Sequence, residues 1–258
     1  MDWIILILFI IVTSVIGYFT KLLTWSGSLA ACVIGLAVAL GFGVKGLLLL
    51  GFFFASSSFW SKFKRKKKLK IEERHEKGSQ RDWQQVAANG GAAALFSLLY
   101  YIFSLPVFLI GFAIAIAAAN SDTWASEVGS LSKRPPIFIR TLKRIDTGTS
   151  GAISLLGTIA AIFGSLTIAL LSYFFFQISF SSVLIIFAFG FLGNIIDTIF
   201  GAFFQVVYQC ETCHAEVESL RHCGTKTTIK KGHPIFNNDF VNFFSGLLSA
   251  ILGLMISL

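Results

Sequence analysis

Asp122, Glu127, Asp197 and Asp239 stand at the ends of long apolar runs, apart from the charged loops that hold most other acids. Of 13 Asp and Glu, eight (Glu72, Glu73, Glu76, Asp82, Asp146, Glu211, Glu216, Glu218) lie in three basic loops, and Asp2 opens the chain. The remaining four occupy 119–127, 193–197 and 238–242. A carboxylate in or beside hydrocarbon costs at least about 2.5–3.5 kcal/mol, so such a residue is read first as functional. In the run 193–205, Asn194, Asp197, Gly201 and Gln205 fall within an arc of about 80° at about 100° per residue. Asp239, Asn242 and Gly246 repeat the arrangement. Oxygen ligands backed by small residues suit Mg²⁺, which binds through one or two carboxylates plus substrate phosphates. A Na⁺ site in a transporter and a structural polar seam are the other readings. Asp122 and Ser126 share a face at i, i+4, whereas Glu127 lies roughly 140° away on a straight helix. Both acids therefore serve one site only if the chain unwinds, as Gly129 and Ser130 predict it soon does.

Three further groups carry chemistry. Gln85 and Asn89, at i, i+4, stack two amides on one helix face, either for a ligand or for an interhelical hydrogen bond. Lys143, Arg144, Gly148, Thr149, Ser150 and Gly151 precede a helical run. Free N–H groups and the positive dipole end at such a helix start attract anions, although a Ser/Thr cap gives the same pattern. Cys210 and Cys213, at CxxC spacing, are followed by His222 and Cys223. These are candidate Zn²⁺ ligands, with unliganded thiols as the alternative. The inferred cytoplasmic side argues against a disulfide, and Cys32 reads as a core residue.

The elements that must position these groups are transmembrane helices. The 258 residues are 55% hydrophobic and include 28 Phe and 23 Gly, and several runs reach the length a bilayer requires. The fold class expected is all-α: a polytopic helical membrane protein of about eight spans, 3–20, 26–43, 45–60, 84–103, 105–121, 151–175, 180–206 and 239–257. The whole of 1–258 forms one integral membrane domain, with 1–60 as helical scaffold and 80–258 as the motif-bearing core. The first run does not read as a cleaved signal peptide, because its leading charge is Asp2 and no small-x-small site follows.

The net charge is +8, and the Lys and Arg concentrate in 61–82, 132–146 and 208–233. Span parity puts all three loops on one side, which the positive-inside rule makes cytoplasmic in a cell membrane. Nucleic-acid binding is excluded because aromatics do not interleave the basic run. The segment 62–68 suits anionic membrane lipid.

The motifs Gln85-Val86 with Ala88-Asn89-Gly90, 122–127, 148–151, Gly193-Asn194 with Asp197, 222–224, and Asn238-Asp239 with Val241-Asn242 resemble a membrane family, domain of unknown function 92. That family includes transmembrane protein 19 of animals and the plant phytyl-phosphate kinase, and the resemblance runs over about 80–250. The segment 143–151 is also similar to the basic-then-Gly-Thr motif of CTP-dependent polyprenol kinases, with Asp146 near its acid but at a different spacing. The resemblance implies phosphoryl transfer from a nucleotide such as CTP to an isoprenoid monophosphate. On that reading Asp122, Asp197 and Asp239 hold Mg²⁺, Glu127, Asn194 and Asn242 orient ligands, and Lys143, Arg144, Thr149 and Ser150 cradle donor phosphates. A cation-coupled transporter or lipid flippase is the rival, because intramembrane Asp and Asn with Gly breaks also suit one.

Overall fold

The computed structural model describes residues 3–64, 67 and 80–257. Arg65, Lys66 and Lys68 of the basic run 62–68, on which the lipid-binding expectation rests, lie outside the described residues, as do Glu72, Glu73 and Glu76. Seven helices are described: α1 (Trp3–Phe19), α2 (Trp25–Lys62), α3 (Trp83–Phe103), α4 (Val107–Gly129), α5 (Leu155–Phe176), α6 (Phe180–Phe203) and α7 (Asn238–Ser257). Six are long and apolar enough to cross a membrane, and α1, with 17 residues, is shorter. Large apolar side chains face outward, with Leu155 79%, Phe174 70% and Met255 70% exposed. Such a surface suits lipid and not water.

The eight expected spans become seven helices because 26–43 and 45–60 are joined without a loop. Gly43, at φ 56° and ψ −143°, interrupts α2. A Cβ on Gly46 would lie 2.9 Å from Val38 Cγ1, and Lys62 Nζ donates to Thr20 O at 3.3 Å. A straight helix would separate the ends of α2 by about 57 Å, so the chain reverses at Gly43. Glycine takes this left-handed backbone without a side-chain clash.

The helices begin where the sequence supplies acceptors for their free N–H groups. Thr24 caps α2 through Gly27 N, and Ser154 caps α5 through Gly157 N. Asp82 and Gln85 form a reciprocal capping box at α3. Asn237 Oδ1 accepts from Phe240 N at 2.8 Å at the start of α7.

Helix α4 is the centre. Phe112, Ala113, Ile114, Ile116 and Ala117 have no exposed surface, and α4 touches α2, α3, α5, α6 and α7. Apolar residues on every side are what a fully enclosed helix requires. Its polar end is absorbed by neighbours. The Asn120 side chain accepts from Ser56 Oγ at 3.0 Å and donates to Gly164 O at 2.8 Å, while Ser121 Oγ donates to Ala161 O. With those groups satisfied, the helix continues past residue 121, where its end was expected, to Gly129. From α2, Ser56 holds both Asn120 and the Trp124 indole.

The all-α expectation is corrected at the loops. Strands β1 (Ile137–Phe138) and β2 (Ala152–Ile153) pair antiparallel. Strands β3 (Val207–Cys210), β4 (Glu216–Val217), β5 (Arg221–His222) and β6 (Thr225–Lys231) form a sheet in the order β4-β3-β6-β5. The β-branched run of β6 (TKTTIKK) favours a strand, but its short alternation is obscured by Lys. Lys231 Nζ stands over the Phe138 ring at 5.0 Å and links the two sheets.

Gly190 of α6 meets α4 and α5 so closely that a Cβ would sit 2.4 Å from Ser165 Oγ and 2.5 Å from Ala117 Cβ. Gly190→Val is expected to destabilise the bundle by about 1–3 kcal/mol through overpacking. Gly51→Ala, with open space around it, should move the thermal midpoint in detergent little. Thermal unfolding of the two variants side by side checks this.

Candidate functional site

The ends of α2, α4 and α6 and the starts of α3, α5 and α7 meet at one end of the bundle. Thr24 N donates to Arg81 O, Ser61 Oγ donates to Glu127 Oε1 at 2.5 Å, and Gly151 lies against Ala202. Between these ends lies a cavity of about 380 Å³. The carboxylates Asp122, Glu127, Asp197, Glu218 and Asp239 line it, with Gln85, Asn89, Asn194, Asn242 and the segment 147–151.

The deeper wall joins α4, α6 and α7. Asn194 Nδ2 donates to Asp122 Oδ1 at 3.1 Å. Ser245 Oγ donates to Asp197 Oδ2 at 3.3 Å, and the Asn242 amide, oriented to satisfy its hydrogen bonds, donates to the same oxygen at 2.9 Å. The arc read from 194–205 and its echo in 239–246 therefore face each other across α6 and α7. Asp239 stands in the first turn of α7, where the helix dipole favours an anion.

Glu127 reaches the cavity although α4 does not unwind before Gly129. The expected obstacle of about 140° disappears because the cavity wraps the end of the helix, and Glu127 turns toward Ser61 and Arg81. Burial pulls the Arg81 guanidinium below its ordinary value, and the Glu127 carboxylate opposes that shift. It remains a cation at neutral pH.

The loop 130–154 closes the mouth. Pairing of β1 with β2 and the bond from Ile139 N to Gly151 O turn it back over the helix ends. Gly151, at φ 81°, passes so near α6 that a Cβ would lie 2.4 Å from Ala202 Cα. Ser150 Oγ donates to Glu218 Oε1 at 2.5 Å, and Gln205 Nε2 donates to both Ser150 Oγ (3.0 Å) and Glu218 Oε1 (2.8 Å). Gly148, Thr149 and Ser150 thus share the cavity with Asp122 and Asp197.

Not every expected residue is brought in. Lys143 and Arg144 are exposed and stand outside the lining, because the turn at Leu142 (φ 55°) carries them away. Among the described residues, the guanidinium within the lining is that of Arg81. Gln85 and Asn89 both line the cavity, but Asn89 Nδ2 donates to Gln85 O and Gln85 serves the helix cap. Asp122, Asp197 and Asp239 do not gather into a tight three-carboxylate cluster. Among the described residues, the group of ligand atoms lying within 4.8 Å of one another is that of Cys210, Cys213, His222 and Cys223, none of which lines the cavity. Sequence reasoning missed Arg81, Ser61 and Glu218. The first two sit beside a helix cap and a basic run, and Glu218 reads as one more charge in a loop.

Helices of membrane-crossing length with apolar outer faces, enclosing a carboxylate-lined cavity at one end, define a polytopic integral membrane protein. The chain belongs to the integral membrane protein family DUF92, whose model matches residues 8–250. It is similar to protein PGR of Arabidopsis thaliana, 31% identical over 96% of this chain and 94% of the relative. An uncharacterised membrane protein of Methanocaldococcus jannaschii is 32% identical over 89% of this chain and 84% of its own. Protein VTE6, chloroplastic, of Arabidopsis thaliana is 26% identical over 90% of this chain and 65% of its own. No solved structure matches significantly.

Gln205 is 2% exposed, so removing its carboxylate partner leaves a buried donor unmet. Glu218→Ala is expected to cost about 1–3 kcal/mol, seen as a lower thermal midpoint in detergent. A Gln205→Leu, Glu218→Leu pair should recover part of that loss, since both polar partners are then replaced.

Proposed function

We propose that this protein is a membrane-embedded phosphotransferase that moves a phosphoryl group from a nucleoside triphosphate, CTP or similar, to an isoprenoid monophosphate. The observation that carries this reading is one cavity, at the end of an apolar bundle, that combines carboxylates from three helices with the Gly-Thr-Ser segment 148–151. A lipid acceptor accounts for the embedded site, because its tail can lie along apolar helix faces while its phosphate enters the mouth. The family resemblance, which includes a plant phytyl-phosphate kinase, supports the same chemistry. The three basic loops make this end cytoplasmic by the positive-inside rule.

Among the described residues, the lining carries oxygen and nitrogen donors with no Cys or His, a donor set that fits a hard cation. Asp122 and Asp197 would hold Mg²⁺, with Asp239 elsewhere in the same lining, and the ion when bound supplies neutralisation of phosphate charge. Asn194, Asn242 and Ser245 fix the carboxylate orientations. Thr149, Ser150 and the backbone of 148–151 receive the donor phosphates, and Arg81 adds a positive charge near the mouth. The acceptor oxygen is already ionised on a phosphate, so it attacks the terminal phosphorus without a strong general base. A new P–O bond forms there as the bond to the nucleoside diphosphate breaks.

The carboxylates lie at one end of the bundle, whereas a transport pathway needs polar groups on both halves, which supports the enzyme over a transporter. Asp197→Asn is expected to lower turnover by at least about 100-fold while leaving the protein folded, because charge stabilisation worth several kcal/mol is removed. Conversion of prenyl monophosphates by purified protein with labelled nucleotides, alongside thermal stability, checks this. Near-wild-type conversion by the variant removes Asp197 from the site. No conversion by wild type with any nucleotide, together with Na⁺ or lipid movement across vesicles, replaces the kinase with a transporter.

A further inference from the structure

We infer that Cys210, Cys213, His222 and Cys223 form a structural Zn²⁺ site that staples the loop sheet and holds Glu218 at the cavity mouth. All four ligand atoms lie within 4.8 Å of one another. His222 Nδ1 is 3.4 Å from Cys213 Sγ and 3.3 Å from Cys223 Sγ. Zn–S bonds of about 2.3 Å in a tetrahedron put ligand atoms roughly 3.8 Å apart, so a small adjustment of side chains suffices. The backbone is shaped for this. Cys210 ends β3 and Cys213 follows in a tight turn closed by His214 at φ 57°. His222 ends β5, and Cys223 and Gly224, at φ 51° and 77°, turn the chain into β6. A cross-link among these four residues ties both hairpins of the sheet.

The sheet needs such a tie. Its core consists of Val206, Tyr208 and Val217, with Ala215 packed against them. So small a cluster, even with Val207 and Cys210 also buried, does not stabilise a segment of roughly 30 residues, and small modules of this kind use a metal or disulfides instead. All four cysteines are free thiols. Glu218 stands four residues before His222, so fixing β5 fixes the carboxylate that accepts from Ser150 and Gln205. The site is independent of the reaction assigned to the cavity.

Protein purified in detergent without chelator is expected to carry one zinc ion per chain by elemental mass spectrometry. Cys213→Ser and Cys223→Ser should each lose it, and Cys32→Ser should keep it. His222→Cys, which preserves four ligands, should also retain zinc, separating ligand loss from misfolding. Cobalt(II) in the same site should give the intense visible bands of a tetrahedral thiolate centre, lost in Cys213→Ser. Limited proteolysis within 204–237 should accelerate after chelation. Wild-type protein that holds no zinc after reconstitution while presenting four titratable thiols overturns the site, as does a disulfide among these cysteines or zinc unaffected by the serine variants.

Discussion

A carboxylate placed at the end of a helix in an apolar bundle must be met by donors, and most of this structure follows from that requirement. Water cannot serve every lone pair at such a depth, so the neighbouring helices do. Asp122 is met by Asn194, Asp197 by Ser245 and Asn242, and Glu127 by Ser61. Each donor comes from another helix. The polar contacts therefore fix which helix ends adjoin, while Gly and Ala on the flanks let them approach. Asn120, buried between α2 and α5, anchors the register in the same way.

Much of this was legible in the sequence because apolar run length and the positions of isolated acids report directly on a bilayer. The arcs at 194–205 and 239–246 identified the faces of α6 and α7 that now confront each other. Other features depend on side chains meeting across long separations. Ser61 and Glu127 are 66 residues apart, and Ser150 and Glu218 are 68 apart. No local pattern distinguishes Glu218 from Glu216, which instead pairs with exposed Lys230. The helix boundary at 121 was placed too early for a related reason. A polar run ends a helix in lipid unless its groups find partners, and the partners of Asn120 and Ser121 lie in α2 and α5. The placement of Lys143 and Arg144 beside the glycines assumed a short path to the anion site, whereas the turn at Leu142 separates them.

The two loops that cover the cavity are of different character. The loop 130–154 is held by two-residue strands and by contact with α6, and the segment 204–237 is a folded sheet with a three-residue core of its own. They join at the Ser150 hydroxyl, shared between Glu218 and Gln205, and where Lys231 stands over the Phe138 ring. A ligand that engages Ser150 must compete with that pair, so entry to the cavity is coupled to how firmly the sheet is seated.

The distribution of the site along the chain has a consequence for biogenesis. Asp197 lies in α6, but both side chains that donate to it belong to α7, at positions 242 and 245. During synthesis α6 therefore enters the bilayer with its carboxyl group unmatched, and the match arrives only when roughly 45 further residues, including the whole loop sheet, have been made. The last described helix acts as a latch, and a nascent chain stalled before it presents an unmatched polar group to membrane quality control.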